Sequence, residues 1–492
     1  MSRLRSEFLS LLQGRRRNVV LATAVGIVAI AVRVPGVYRR PFWEDEVASA
    51  QILREPTLLA MLHRVVRTES TPPLWYLLGW LVHQLGAPLQ DERLLSVAFG
   101  GALAALVFIL GNRLLRPSPA VVAALLTALG TQFIAHGHEL RSYELLALLT
   151  VLFALALLTE VESPSPRHKV AVAATVAAGG LTHFFFAFSV FAAIAWLWLD
   201  PGARRARRGA TAAIAAGGIV AAAWIPLLLR QYQPHRFWWI GSIRWRYVLA
   251  VPLRLFTNID EGTATGLLLS TTAVATLLIG CILLTRTSAT GRAVAALAIL
   301  PPLAAAVVWA AGMPIFDLRN LIGAGAFIAI AYAGALDRLP RRARAATICV
   351  VPAAMIFATA TAAPGIPDYT HMARTLVGDG WNPNQPIAVF GSPQSYRLPL
   401  EWYLPHQPSL TLVRSGAWRC SNVFLIRPTN QVVRLELPTP LSRDRRLHPT
   451  TLLVARQGER GCLTHDVDAE SRRAPTSSTA SNSRAGQVEP RA

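Results

Sequence analysis

Three acidic residues stand together at Glu44-Asp45-Glu46, directly after Phe42 and Trp43. A carboxylate in a partly dry pocket can take the proton of a hydroxyl as that oxygen attacks a carbon centre, and Asp45, with Glu46 beside it, is placed to do so. Farther along, His136-Gly137-His138-Glu139-Leu140-Arg141-Ser142-Tyr143 sets an acid, a guanidinium and a phenol close together. Glu139, Arg141 and Tyr143 suit the orienting of a polyol or the gripping of a phosphate oxygen. His136 and His138, two apart, are only a weak metal signal. Arg319, within Phe316-Asp317-Leu318-Arg319-Asn320, offers a planar fork that matches phosphate and can stabilise a departing one. His183 is a polar residue in an otherwise apolar stretch. Each group also has an ordinary structural alternative. The acids suit a helix start, the histidine segment an interfacial loop, Arg319 a local pair with Asp317, and His183 a hydrogen bond between helices.

Apolar helices must position these groups, because 53% of the 492 residues are hydrophobic and 15% charged. Apolar blocks at 18–34, 94–112, 119–135, 143–159, 209–229, 263–285, 293–312, 321–336 and 345–363 approach or reach the length of a helical membrane span. They lack the alternation of a barrel strand. A net charge of +21 would suggest nucleic acid in a soluble chain. Here the arginines fall between apolar blocks, so they report topology and no nucleic-acid partner is expected. Arg15 to Arg17 place the N-terminus inside. Arg113 with Arg116, Arg167 with Lys169, Arg204 to Arg208, Arg286 with Arg292, and Arg338 to Arg344 are expected on the same side.

Basic loops flank both ends of 170–199, so this stretch crosses twice or not at all. As a hairpin its arms are about 15 residues each, roughly 22 Å, which would sink a tip near Thr182 and His183 below the membrane surface. The expected architecture is an all-α bundle of about 11 transmembrane helices, with the N-terminus inside and the chain after Pro364 outside a cytoplasmic membrane. Short interfacial helices are expected from Val47 towards Arg54 and from Thr71 to Leu85, with Thr71 as the cap of the second. The loop 230–262, rich in arginine beside Trp238 and Trp239, suits anionic headgroups or phosphate.

The composition changes after 363. Residues 364–468 read as a small extracytoplasmic α/β domain with strands at 386–390 and 422–426, and 469–492 as a disordered tail. Cys420 and Cys462 are the cysteines of that domain, and an external site permits a disulfide between them.

Taken in order, the motifs resemble those of the C-type (GT-C) membrane glycosyltransferases, in particular the protein O-mannosyltransferase-like branch. The matching segments are Trp43 to Glu46, Thr71-Pro72-Pro73-Leu74-Trp75-Tyr76, Arg93-Leu94-Leu95-Ser96, Glu139 to Tyr143, Leu181 to Phe185, and Arg319. The resemblance spans most of residues 20–340 and implies an inverting transfer from a polyprenyl-phosphate sugar to an envelope glycan, glycolipid or protein. Asp45 would be the base, with Glu46 the second candidate. Arg319, Arg141 and Arg93 would serve the donor phosphate, while Tyr143, Glu139 and His183 would shape the sugar pocket. It implies no cofactor and at most a weak metal dependence. Two positions depart from the family pattern, Thr71 where histidine is common and Asn320 where tyrosine is common; both bear on which sugar or acceptor fits.

Arginine replaces lysine everywhere except Lys169, a bias of high-GC bacterial genomes that favours mannose or arabinose as the donor sugar. A flippase or transporter of the lipid-linked sugar and a non-catalytic scaffold of envelope assembly are the rival readings. The absence of visible internal repeats counts against transport.

Overall fold

The computed structural model describes residues 2–231, 240, 244–360, 368–378, 387–390, 393–404, 410–413, 423–426, 432–435 and 452–455. The chain forms two compact units, Met1–Arg40 with Asp45–Pro364, and Pro41–Glu44 with Gly365–Ala492.

The first unit is a helical bundle. A long α1 (Ser2–Arg39) is followed by three short helices, α2 (Glu44–Leu53), α3 (Leu58–Thr68) and α4 (Leu74–Gln84), before α5 (Leu94–Gly111) and α6 (Pro117–Leu129). A short α7 (Thr131–His136) leads to α8 (Tyr143–Glu162), and α9 (Pro166–Thr182) with α10 (Phe186–Leu199) makes the hairpin expected from the charge pattern. The break falls at 183–185. At 1.5 Å per residue the two arms are about 25 and 21 Å long, short of the roughly 30 Å hydrocarbon core. Next come α11 (Arg207–Ala222) and α12 (Ile225–Gln231), bent by 51° to each other. The unit continues through α13 (Trp245–Arg254), α14 (Ala264–Thr285), α15 (Ala289–Ala310), α16 (Ile322–Leu336) and α17 (Arg341–Ala360).

Among the described residues six helices are long and apolar enough to cross a membrane, and the bent pair makes a seventh if it counts as one. The remaining stretches counted from the sequence are α6, α9 and α10, which are short, and α17, which opens on Arg341, Arg342 and Arg344. Hydroxyl caps start several of the helices. The side chains of Thr57, Ser165, Thr263 and Ser288 accept from the first turns of α3, α9, α14 and α15. Thr71 does not cap α4 as expected. That helix starts at Leu74 behind Pro73, because Pro72 and Pro73 have no N–H to give a capping hydroxyl, and Thr71 Oγ1 instead lies 3.2 Å from the Tyr76 hydroxyl.

Small residues let the helices approach. A Cβ at Gly217 would meet the Ala173 carbonyl where α11 crosses α9, and one at Gly280 would meet the Ala331 carbonyl where α14 crosses α16. Close backbone approach of this kind substitutes for the hydrophobic driving force that lipid removes. One charge pair lies fully buried where α1 meets α8. Arg33 Nη2 is 3.3 Å from Glu144 Oε1 and also reaches the Thr127 carbonyl, while Nη1 reaches the carbonyls of Ala29 and Ala128. Four hydrogen bonds from the guanidinium, one to Glu144 and three to backbone carbonyls, are what make such a pair tolerable inside an apolar bundle.

In the second unit, α18 (Tyr369–Gly378) and α19 (Pro393–Tyr403) accompany a five-stranded sheet of order β2-β1-β5-β3-β4. The strands are β1 (Ile387–Phe390), β2 (Leu410–Val413), β3 (Val423–Ile426), β4 (Val432–Leu435) and β5 (Leu452–Ala455). Among the described strands only β1 and β2 pair in parallel, with Ile387 opposite Leu410. Cys420, Cys462, Arg236, Trp238, Trp239 and residues 469–492 lie outside the described residues.

Candidate active site

The site is built where α2, α8 and the turn before α16 meet. Asp45 and Glu46 occupy the first turn of α2, where acids complement the helix dipole. Neighbours in a helix point about 100° apart, so the two acids serve different partners. Asp45 Oδ2 accepts from Arg319 Nη1 at 2.8 Å and lies 3.9 Å from Arg141 Nη2. Its side chain remains 26% exposed, which leaves the carboxylate open to an incoming group. Burial pushes the Asp45 carboxyl up, but Arg141 and Arg319 outweigh it and hold the group below the usual range.

Glu46 faces the other way. It takes Arg93 Nε at 2.7 Å and Nη2 at 2.6 Å, and the Leu140 backbone N–H donates to it at 2.9 Å. Arg93 also donates to the carbonyls of Val37 and Arg40, and Arg93 and Glu46 are themselves almost wholly buried. The structure therefore brings Glu46 and Arg93 to each other, away from the accessible carboxylate of Asp45.

Arg319 lies in the short turn Leu318–Leu321, whose start is fixed by the Asp317 carboxylate accepting from the Arg319 N–H at 3.1 Å. Its Nε is 3.4 Å from Asp317 Oδ1, so the local pair foreseen in the sequence exists alongside the shorter bond to Asp45. The guanidinium rests over the Tyr143 ring at 5.7 Å. Tyr143, the first residue of α8, lies 4.7 Å from the His136 ring and 5.8 Å from that of His183. Glu139 is one layer deeper, with Oε2 2.9 Å from His136 Nδ1 and its carbonyl accepting from Ser96 Oγ at 2.7 Å.

Arg141 is buried, and its partners include a residue that no motif singled out. Glu69, at the C-terminal end of α3, accepts from Arg141 Nη1 through both carboxylate oxygens at 3.0 and 3.1 Å. Burial acts against the Arg141 charge, but Glu69 first, then Tyr76 and Asp45, raise its pKa well above the ordinary value. Glu69 escaped notice because it is an isolated acid in the polar run Arg67-Thr68-Glu69-Ser70; only its place two residues before the Thr71-Pro72-Pro73 motif hinted at the site. No three His, Cys, Asp or Glu side chains converge among the described residues.

Comparisons with known proteins agree with this architecture. A sequence profile of the family described as dolichyl-phosphate-mannose-protein mannosyltransferase matches residues 70–229. ArnT from Cupriavidus metallidurans in the apo state is similar at TM-score 0.51 and 15% identity, over 83% of this chain and 87% of that one. The same protein bound to undecaprenyl phosphate matches at TM-score 0.51 and 15% identity, over 81% and 86%. The oligosaccharyltransferase AglB from Archaeoglobus fulgidus, in complex with an inhibitory peptide and a dolichol-phosphate, matches at TM-score 0.52 and 11% identity, over 89% and 75%. No curated protein matches the chain in sequence. The chain has the fold of the C-type membrane glycosyltransferases, as its motif order led one to expect.

Proposed function

We propose that this protein is a polyprenyl-phosphate-sugar-dependent glycosyltransferase of the cytoplasmic membrane, acting on its outer face with inversion at the sugar. One observation carries the reading: a partly exposed carboxylate, Asp45, bracketed by the guanidiniums of Arg319 and Arg141. That is the arrangement an acceptor hydroxyl and a lipid-linked phosphate would need side by side. It gains support from the match to a mannosyltransferase family over residues 70–229 and from fold relatives bound to undecaprenyl phosphate and dolichol-phosphate. The donor sugar is mannose or arabinose, and the acceptor an envelope glycan, glycolipid or protein.

In the reaction, the acceptor oxygen forms its bond to the anomeric carbon while the bond from that carbon to the phosphate oxygen breaks. The electron pair leaves with the phosphate towards Arg319 and Arg141, and the acceptor proton passes to Asp45. A carboxylate held down by two cations is a weak base at rest. A phosphate arriving between the same cations shares their charge, so Asp45 gains basicity when the donor is bound. Tyr143 and His183 line the place of the sugar, with Glu139 acting from behind through His136. Glu46 and Arg93 brace α2. Alignment of the two reactants supplies much of the acceleration, roughly 7–11 kcal/mol in favourable cases.

The test is transfer from radiolabelled polyprenyl-phosphate mannose into membrane glycans, lipids and proteins, compared between wild-type and Asp45→Asn cells at equal expression. Loss of a labelled product in the variant supports the reading and shows the acceptor pool. Unchanged labelling with both mannose and arabinose donors would sink it.

A further inference from the structure

One nitrogen of Arg141 carries nearly all its contacts. Nη1 donates to both oxygens of Glu69, to Ser49 Oγ at 3.2 Å, to the Tyr76 hydroxyl at 3.2 Å and to the Asp45 carbonyl at 3.4 Å. The buried Nε has no acceptor among the described residues, and Nη2 lies 3.9 Å from Asp45 Oδ2. Nε and Nη2 form one flat edge of a guanidinium, the kind of edge that meets two phosphate oxygens side by side. A desolvated N–H left without an acceptor is costly, so something must stop the side chain from turning to satisfy it.

Glu69 and Tyr76 supply that restraint. The Glu69 backbone N–H is tied to the Val65 carbonyl at 3.0 Å as α3 ends, and its side chain is buried. The Tyr76 hydroxyl is within 3.2 Å of Thr71 Oγ1, and the Thr71 carbonyl accepts from Gln231 Nε2 at 3.0 Å. Gln231 also reaches the Val65 carbonyl at 3.3 Å and takes the indole N–H of Trp224 at 3.0 Å. The restraint is thus anchored on α3, α4 and α12, apart from the elements that carry Asp45, Tyr143 and Arg319.

We infer that Glu69, assisted by Tyr76, is a positioning residue for Arg141. It fixes Nη1 so that the Nε–Nη2 edge stays presented to an anionic ligand and does not close on Asp45. Glu69 acts through Arg141 and touches no substrate. The inference rests on the reading that a polyprenyl phosphate binds at Arg141 and Arg319, and it names a residue that sets how tightly that phosphate is held.

The test uses the full chain in nanodiscs, with undecaprenyl phosphate titrated by tryptophan fluorescence and melting temperatures measured beside it. Glu69→Gln weakens binding about 10-fold and Tyr76→Phe about 3-fold, losses in the range of one charge-assisted and one neutral hydrogen bond. The double variant Glu69→Gln with Arg141→Ala binds no more weakly than Arg141→Ala alone, because residues acting through one another do not add. If Glu69→Gln fails to fold, the same cycle is run with Tyr76→Phe. Unchanged affinity, or losses that multiply in the double variant, overturn the inference and leave the donor reading standing. Wild-type protein that does not bind undecaprenyl phosphate overturns both.

Discussion

Asp45 Oδ2 and Arg319 Nη1 are joined by a 2.8 Å hydrogen bond across 274 residues of chain. With Arg141 at 3.9 Å, the carboxylate holds a position that a phosphate oxygen would also favour. Asp45→Asn is therefore expected to separate binding from turnover. Transfer should fall by about 10²–10⁴, the range for loss of a general base. Affinity for undecaprenyl phosphate should be kept or improved, because the amide no longer competes for the guanidiniums. Calorimetric titration beside a single-turnover assay checks both, and a folded variant with much weaker lipid binding would mean that Asp45 helps to hold the donor.

The same contacts set a pH dependence. Burial raises the Asp45 carboxyl, Arg141 and Arg319 lower it further than burial raises it, and His136 adds in the lowering direction. The ionised form is thus favoured in the fold. Its contribution to stability is complete above the unfolded carboxylate range and is lost as pH falls through the depressed native value. The acid limb of kcat/KM for the free enzyme should lie below the ordinary aspartate value of about 3.9. Arg319→Ala removes one lowering cation, so its acid limb should move to higher pH. A limb at the same pH in both proteins would show that another group is titrating.

Glu46 and Arg93 make the opposite case. Their two bonds, at 2.6 and 2.7 Å, lie between side chains that are 1–2% exposed. Removing one member leaves a buried charge without its counterion, at a cost of about 3–5 kcal/mol. Glu46→Gln should lower the melting temperature and the yield of folded protein, while Asp45→Asn should leave both near wild type. A Glu46→Gln protein of normal stability and no activity would return Glu46 to the catalytic centre.

The bundle was legible in the sequence because membrane spans are written in contiguous residues: apolar runs, arginine-bearing loops and a hairpin whose tip falls at 183–185. Asp45, Arg141, Tyr143, His183 and Arg319 were legible as candidate chemistry, with roles read from their types and from the resemblance. Their meeting was not, since Asp45 to Arg319 is a contact set by helix packing. The division of labour between Asp45 and Glu46 was also hidden. Two adjacent acids look alike in a string, and only the helical rotation between them sends one to Arg319 and Arg141 and the other to Arg93. Glu69 was invisible for a related reason, because its partner lies 72 residues away.

Tyr143 offers a test of how Arg319 is supported. The guanidinium lies over the ring at 5.7 Å, and the ring itself sits between His136 and His183. A cation over an aromatic face is worth about 0.5–2 kcal/mol, more as water is excluded. Tyr143→Ala should therefore weaken donor binding by up to about 30-fold, the upper end of that range. Tyr143→Phe keeps the platform and should stay within about 3-fold of wild type if the ring alone matters. The informative result is a Phe variant that binds undecaprenyl phosphate normally yet transfers slowly. It would assign the Tyr143 hydroxyl to the sugar and the ring to the arginine, dividing one side chain between donor recognition and support of the phosphate-binding cation.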